Sequence, residues 1–269
     1  MKAWEKVLSM PVSGRTEKPR AAGFTMLIDM GLGLHATADL IETAADCVDD
    51  VKLTFGTSVF YERELVITKN RMLNGADIIT MPGGTMIEVA IWKGVWREYF
   101  ERAAQLGFSG MEISDGTIEL GLEERAEIVK TAVDMGFTVL TEIGKKDPKM
   151  ELPVAERIEQ LGQDLECGAS KVIVEARAAG KGVGMFDKDG GVKEDEMEAL
   201  LAGVDDVNDL LWEAPIKSQQ QYLIGRFGIN VNLGNVPPED ALALEALRNG
   251  LRGDTLKKAY FDDIGKPLP

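Results

Sequence analysis

The chain has 269 residues, 45% of them hydrophobic and 28% charged, enough to bury a full core either as two small domains or as one α/β barrel. Its net charge of -15 argues against the broad basic surface that nucleic acid or an anionic membrane requires, so neither is expected as a partner. No apolar run is long enough to span a bilayer, and two distant cysteines, Cys47 and Cys167, behind a start without signal-peptide character, fit a reducing cytoplasm.

In chain order, short β-type runs alternate with helical periodicity. FTMLID (24–29) leads into the amphipathic ATADLIETAADC, and VKLTFG (51–56) and ADIITM (76–81) follow. WREYFERAAQLG then separates the third run from GMEISD (110–115), and LEERAEIVKTAVDMG separates that from TVLTE (138–142). VAERIEQLGQDLECG precedes KVIVEAR (171–177), after which come DLLWEAP (209–215) and INVNLGN (229–235). Three of these amphipathic stretches run into a glycine suited to stopping a helix. The connection between the last two strands is the shortest and carries the weakest helical signal.

Strands alternating with helices imply parallel pairing with right-handed crossovers, and eight such units predict a closed (β/α)8 TIM barrel. No linker-like or low-complexity segment divides the chain, so a single barrel domain is expected over 23–257, between a leader at 1–22 and a tail at 258–269.

Successive strand residues face opposite sides. Lys52 and Thr54 therefore share a face, as do Glu112 and Ser114, Leu140 and Glu142, Glu175 and Arg177, Leu211 and Glu213, and Asn230 and Asn232. Their neighbours Val51, Leu53, Met111, Ile113, Val172, Val174, Val231 and Leu233 are apolar and can pack under helices. The polar set would line the upper interior, with Asp29 added from the first strand. Buried charge is costly unless paired or bound to metal, and barrel enzymes place their chemistry at this rim.

Several carboxylates converging on one mouth, without a Cys/His cluster, make an oxygen-ligand site suited to Mg²⁺. The single histidine, His35, reads as a surface loop residue, which leaves lysine as the best proton donor. EARAAGKGVG (175–184) sets Arg177, Lys181 and Gly182 after the sixth strand, in a loop able to hold a phosphate or carboxylate. NLGN, with Asn232, Gly234 and Asn235, supplies a second glycine turn where barrels often bind phosphate, and Arg252 lies beyond it.

MPGGTMIE, MEISDG, LTEIGKKD, VIVEARAAGKG, EAPIKSQQ, VNLGN and LEALRNGLRGDT, in this order between about residues 18 and 257, resemble the successive signature segments of the phosphosulfolactate synthase family. The resemblance implies a Mg²⁺-dependent barrel, a carbon–sulfur lyase adding sulfite to phosphoenolpyruvate on the route to coenzyme M. Sulfite would attack the methylene carbon, charge would pass into the carboxylate, and a proton delivered to C2 would give (2R)-phospho-3-sulfolactate. Lys146 matches the family lysine proposed to deliver that proton, with Lys52 and Arg177 as the other catalytic cations, while Lys145 reads as a surface charge.

Glu112, Glu142 and Glu175, on adjacent strands, are the first choice of metal ligands, with Asp29, Asp115 and Glu213 behind them. Met30, Thr54, Phe55 and Ala179 depart from the family pattern, removing one cation and one hydroxyl near the rim. A homo-oligomer is expected. The competing readings are a non-catalytic stress or interaction protein on the same barrel, and a lyase or aldolase using Lys146 as a Schiff-base nucleophile.

Overall fold

The computed structural model describes residues 3–176, 178–182 and 184–264. Eight strands, β1 (Thr25–Asp29), β2 (Asp50–Leu53), β3 (Ile79–Pro82), β4 (Gly110–Ile113), β5 (Thr138–Ile143), β6 (Lys171–Val174), β7 (Leu210–Glu213) and β8 (Leu233–Val236), form one sheet. Each ladder is parallel, in the order β3-β2-β1-β8-β7-β6-β5-β4. Only β3 and β4 meet without a ladder. Ser109 N donates to Thr80 O at 3.1 Å and Thr80 N to Ser109 Oγ at 3.0 Å, stitching the base of that seam. The result is the expected (β/α)8 arrangement, nearly closed.

Among the described residues ten helices surround it: α1 (Leu34–Ala44), α2 (Arg63–Asn74), α3 (Thr85–Trp92), α4 (Trp96–Gln105), α5 (Leu122–Asp134), α6 (Val154–Glu166), α7 (Glu194–Leu201), α8 (Lys217–Phe227), α9 (Ala241–Arg248) and α10 (Gly253–Ile264). The weak helical signal between β7 and β8 is a full helix, α8. Its buried Gln219 and Gln220 diluted the apolar stripe that periodicity detects. The α4, α5 and α6 stretches each end two residues before the glycine expected to stop them, and Gly107, Gly136 and Gly168 all take positive φ.

The strand parity divides the core as the alternation requires. Val51, Leu53, Met111, Ile113, Val172, Val174, Val231 and Leu233 belong to the apolar layer beneath the helices. Met26, Met81, Leu140, Ile173 and Leu211 fill the barrel's interior floor. Gly234 completes that floor, because a Cβ there would lie 2.4 Å from Leu211 Cδ2 and 2.7 Å from Met26 Cε.

Most strands are shorter than their apolar runs. The second ends at Leu53, where Thr54–Phe60 turn into a 3-10 segment, and the eighth begins only at Leu233. Asn230 and Asn232 therefore lie at the opposite end of the barrel from the strands' carboxyl ends. Asn230 Nδ2 donates to Gly14 O, while Asn232 Nδ2 donates to Asn208 O and Leu210 O. Asp29 also departs from expectation. Its interior neighbour is Ile28, so Asp29 points outward and pairs with Lys69 of α2, accepting from Gly31 N and Leu32 N as well. His35 is exposed on the first turn of α1 rather than in a loop.

Candidate active site

A cavity of about 390 Å³ opens at the carboxyl ends of the strands, within the ~300–1,000 Å³ usual for small-molecule sites. Lys52, Glu112, Glu142, Glu175 and Glu213 reach it from β2 and from the ends of β4 to β7. Lys146, Gly83, Gly84, Ala178 and Ala179 come from the loops, Thr85 from the start of α3, Asn235 from β8, and Thr54 and Phe55 from the 3-10 segment after β2. Phe55 and Asn235 hold left-handed backbones, at φ 54° and 53°, a strain that non-glycine residues carry at ligand sites more often than elsewhere.

The charges are arranged around two ammonium groups. Lys52 Nζ lies 3.2 Å from Glu112 Oε2 and 3.0 Å from Glu213 Oε1. Lys146 Nζ lies 3.2 Å from Glu88 Oε1, 3.5 Å from Glu142 Oε1 and 4.0 Å from Glu175 Oε2. Burial works against both ammonium groups, but the surrounding carboxylates outweigh it and raise their pKa values. Burial works against ionised Glu142 as well, yet Lys146 and Lys52 hold it down to about 2. Burial and the charges of Glu142 and Glu213 push Glu175 well above the carboxylate range, and its side chain is hydrogen-bonded to that of Glu142.

One oxygen from each of Glu142, Glu175 and Glu213 lies within 4.8 Å of the others, and all three residues are buried. Three hard oxygen donors crowded together in a buried site fit a divalent cation such as Mg²⁺. Glu112 is beside this trio and paired to Lys52. Asp29 and Asp115 are not in it: Asp115 accepts from Lys145, Arg125 and Gln160 behind the rim.

Burial, opposed by Lys52, pushes Glu112 up to about 7. A carboxyl raised in the fold gives stability that is full below its unfolded value, ~4.3, and is lost as pH rises through the folded value. Metal-free protein should therefore lose roughly 2–3 kcal/mol from this group between mildly acidic and neutral pH. Urea melts of wild type and Glu112→Gln across that range check this, and equal slopes would remove Glu112 as the cause.

The two adjacent lysines of GKK diverge. Lys145 is buried, and its Nζ donates to Asp115 Oδ2 at 2.6 Å, Asp115 O at 2.7 Å and Ile118 O at 3.1 Å. It is a structural cation and not the surface charge expected. Lys146 keeps a side-chain exposure of 26% and faces the cavity, its backbone N donating to Gly116 O.

The expected phosphate loops are placed differently from one another. Asn235 lines the cavity, whereas Asn232 and Gly234 lie below it in the barrel. Arg252 follows α9, whose last-turn Arg248 binds Ile229 O and Val231 O at the opposite end of the barrel. Lys181 is exposed and outside the cavity lining, and Gly182 N is spent on Asp187 O at 2.8 Å. Arg177 lies outside the described residues.

Sequence reasoning passed over Glu88, Gly84 and Thr85 as site residues, while Ser114 was placed on the interior face with Glu112. Glu88 had a signal, being the one charged residue of TMIEVAIW in α3. Gly84 approaches too closely for any side chain: a Cβ would sit 2.6 Å from Ser114 Cβ and 2.7 Å from Glu112 Oε1.

A (β/α)8 barrel with a lysine and carboxylate mouth at its carboxyl-terminal rim is the layout of a barrel enzyme. The family model for (2R)-phospho-3-sulfolactate synthase matches residues 13–254. A phosphosulfolactate synthase of Methanothermobacter thermautotrophicus is 44% identical over 246 residues, covering 91% of this chain and 95% of the relative. One from Bacillus subtilis is 38% identical over 250 residues, covering 92% and 97%. Among solved structures, 3-hexulose-6-phosphate synthase from Salmonella typhimurium superposes with a TM-score of 0.55 at 12% identity, over 85% of this chain and 100% of that one, a likeness of fold alone. The chain belongs to the phosphosulfolactate synthase family. Among the described residues no helix is long and apolar enough to cross a membrane.

Proposed function

We propose that this chain is a Mg²⁺-dependent carbon–sulfur lyase that joins sulfite to phosphoenolpyruvate, forming (2R)-phospho-3-sulfolactate for coenzyme M biosynthesis in the cytoplasm. The observation that carries the reading is Lys146, a charged amine facing a cavity built on Glu142, Glu175 and Glu213. Glu142, Glu175 and Glu213 would hold the cation, which when bound supplies positive charge for the substrate carboxylate as electrons move into it. The sulfur lone pair forms the new bond to C3, the C2–C3 π pair moves toward the carboxylate, and C2 takes a proton from Lys146. The phosphate ester stays intact.

Lys52 holds Glu112 and Glu213 in place and adds a second positive charge to the cavity. The high pKa of Lys146 favours a proton donor over a Schiff-base nucleophile, which must be neutral to attack a carbonyl. A purely structural barrel has no use for this many buried charges at one mouth.

Incubation with phosphoenolpyruvate, sulfite and Mg²⁺ should yield a product whose mass is the sum of phosphoenolpyruvate and bisulfite. No adduct under these conditions, or borohydride trapping of a carbonyl substrate on Lys146, overturns the assignment.

A further inference from the structure

The motif MPGGTMIE ends on a residue to which the reaction above gives no part. Glu88 sits on the inner side of α3, buried with Ile87 and Ala90, on a helix with no other charge. A lone carboxylate in such a place must be satisfied, and it is. Its Oε2 accepts from Thr117 N at 3.0 Å. Its Oε1 accepts from Ser114 Oγ at 2.8 Å and Lys146 Nζ at 3.2 Å.

The same two groups also span Glu142. Ser114 Oγ is 2.7 Å from Glu142 Oε1, and Lys146 Nζ is 3.5 Å from that oxygen. Glu88, Ser114, Glu142 and Lys146 thus form a closed ring, with two carboxylate oxygens bridged on one side by a hydroxyl and on the other by the ammonium. Ser114 has one proton for two carboxylates. Lys146 is the member that can neutralise both.

We propose that Glu88 is the positioning residue of Lys146, fixing its ammonium over the cavity from the α3 side while Glu142 holds it from β5. The proposal rests on Lys146 acting as the proton donor of the reaction above. Without Glu88 the long lysine side chain, a quarter exposed, keeps only its contacts to Glu142 and Glu175. Those contacts draw it toward the trio suited to the cation. Glu88 reaches no member of that trio directly; its links to Glu142 run through Ser114 and Lys146, so its main effect should fall on the lysine.

The test compares wild type, Glu88→Gln, Glu88→Asp and the pair Glu88→Gln with Lys146→Ala. Glu88→Gln should lower kcat by roughly 10- to 100-fold, the usual cost of a misplaced reacting group, while KM for phosphoenolpyruvate and Mg²⁺ affinity stay near wild type. Glu88→Asp keeps the charge and should recover part of the rate, and in the Lys146→Ala background Glu88→Gln should add little.

An independent readout needs no turnover. Acylation of Lys146 by acetic anhydride at one mildly alkaline pH, mapped by mass spectrometry against exposed Lys149, should run faster in Glu88→Gln than in wild type. Unchanged acylation overturns the proposal, as does a parallel loss of Mg²⁺ affinity, which would move Glu88 into the cation site. If wild type forms no sulfite adduct, the reaction assignment fails, and the acylation contrast still decides whether Glu88 holds Lys146.

Discussion

Replacing Lys146 with alanine is expected to cut turnover by roughly 10²- to 10⁴-fold, the usual share of general acid catalysis, with the fold intact. Lys146 contributes no core contact that would collapse on truncation: a quarter of its side chain is exposed, and its neighbours are carboxylates. Its removal leaves Glu88, Glu142 and Glu175 with one cation fewer. Bound Mg²⁺ would partly offset that loss, so substrate affinity should change little.

Lys145→Ala should behave in the opposite way. It breaks a buried pair with Asp115, but Arg125 and Gln160 still hold that carboxylate. A stability loss of roughly 2–3 kcal/mol follows, below the ~3–5 of a buried charge left alone, and kcat should stay near wild type. Steady-state kinetics and urea melts on the two variants decide this. If Lys145→Ala loses turnover as severely as Lys146→Ala, without unfolding, the acid has been assigned to the wrong lysine.

The second large effect concerns the metal. Protein stripped with EDTA should be inactive and regain activity with Mg²⁺. Glu175→Gln and Glu213→Gln should each weaken Mg²⁺ by at least the ~10- to 100-fold that even outer-shell losses cost. Glu112→Gln should weaken it less, because the oxygens of Glu112 are not in the trio of Glu142, Glu175 and Glu213. Calorimetric titration of each variant with Mg²⁺ or Mn²⁺ measures these affinities. Full turnover of metal-stripped protein in excess EDTA would sink the metal requirement. A Glu112→Gln loss larger than that of Glu213→Gln would return the ligand set to the strands of Glu112, Glu142 and Glu175.

Much of the architecture was legible along the chain because its causes are local. Alternation at period two decides which strand residues face inward, and helical periodicity between the strands requires parallel pairing. Lys52, Glu112, Glu142, Glu175 and Glu213 could therefore be placed on one interior face from the sequence alone, and they share one cavity. Parity stops working where a strand stops. VKLTFG leaves the ladder at Leu53, and INVNLGN joins it only at Leu233, so Asn232 fell to the barrel's base. Asp29 lay on the other parity and turned to Lys69.

By itself the sequence determined the barrel, its inward charges and the family, since patterning and ordered motifs need no knowledge of distant contacts. Only the tertiary structure decided which of two adjacent lysines serves the cavity. Asp115 and the Ile118 carbonyl capture Lys145 from the β4 loop, and Glu88 reaches Lys146 from α3. These partners are 27 to 58 residues away along the chain, and packing alone brings them within hydrogen-bond distance.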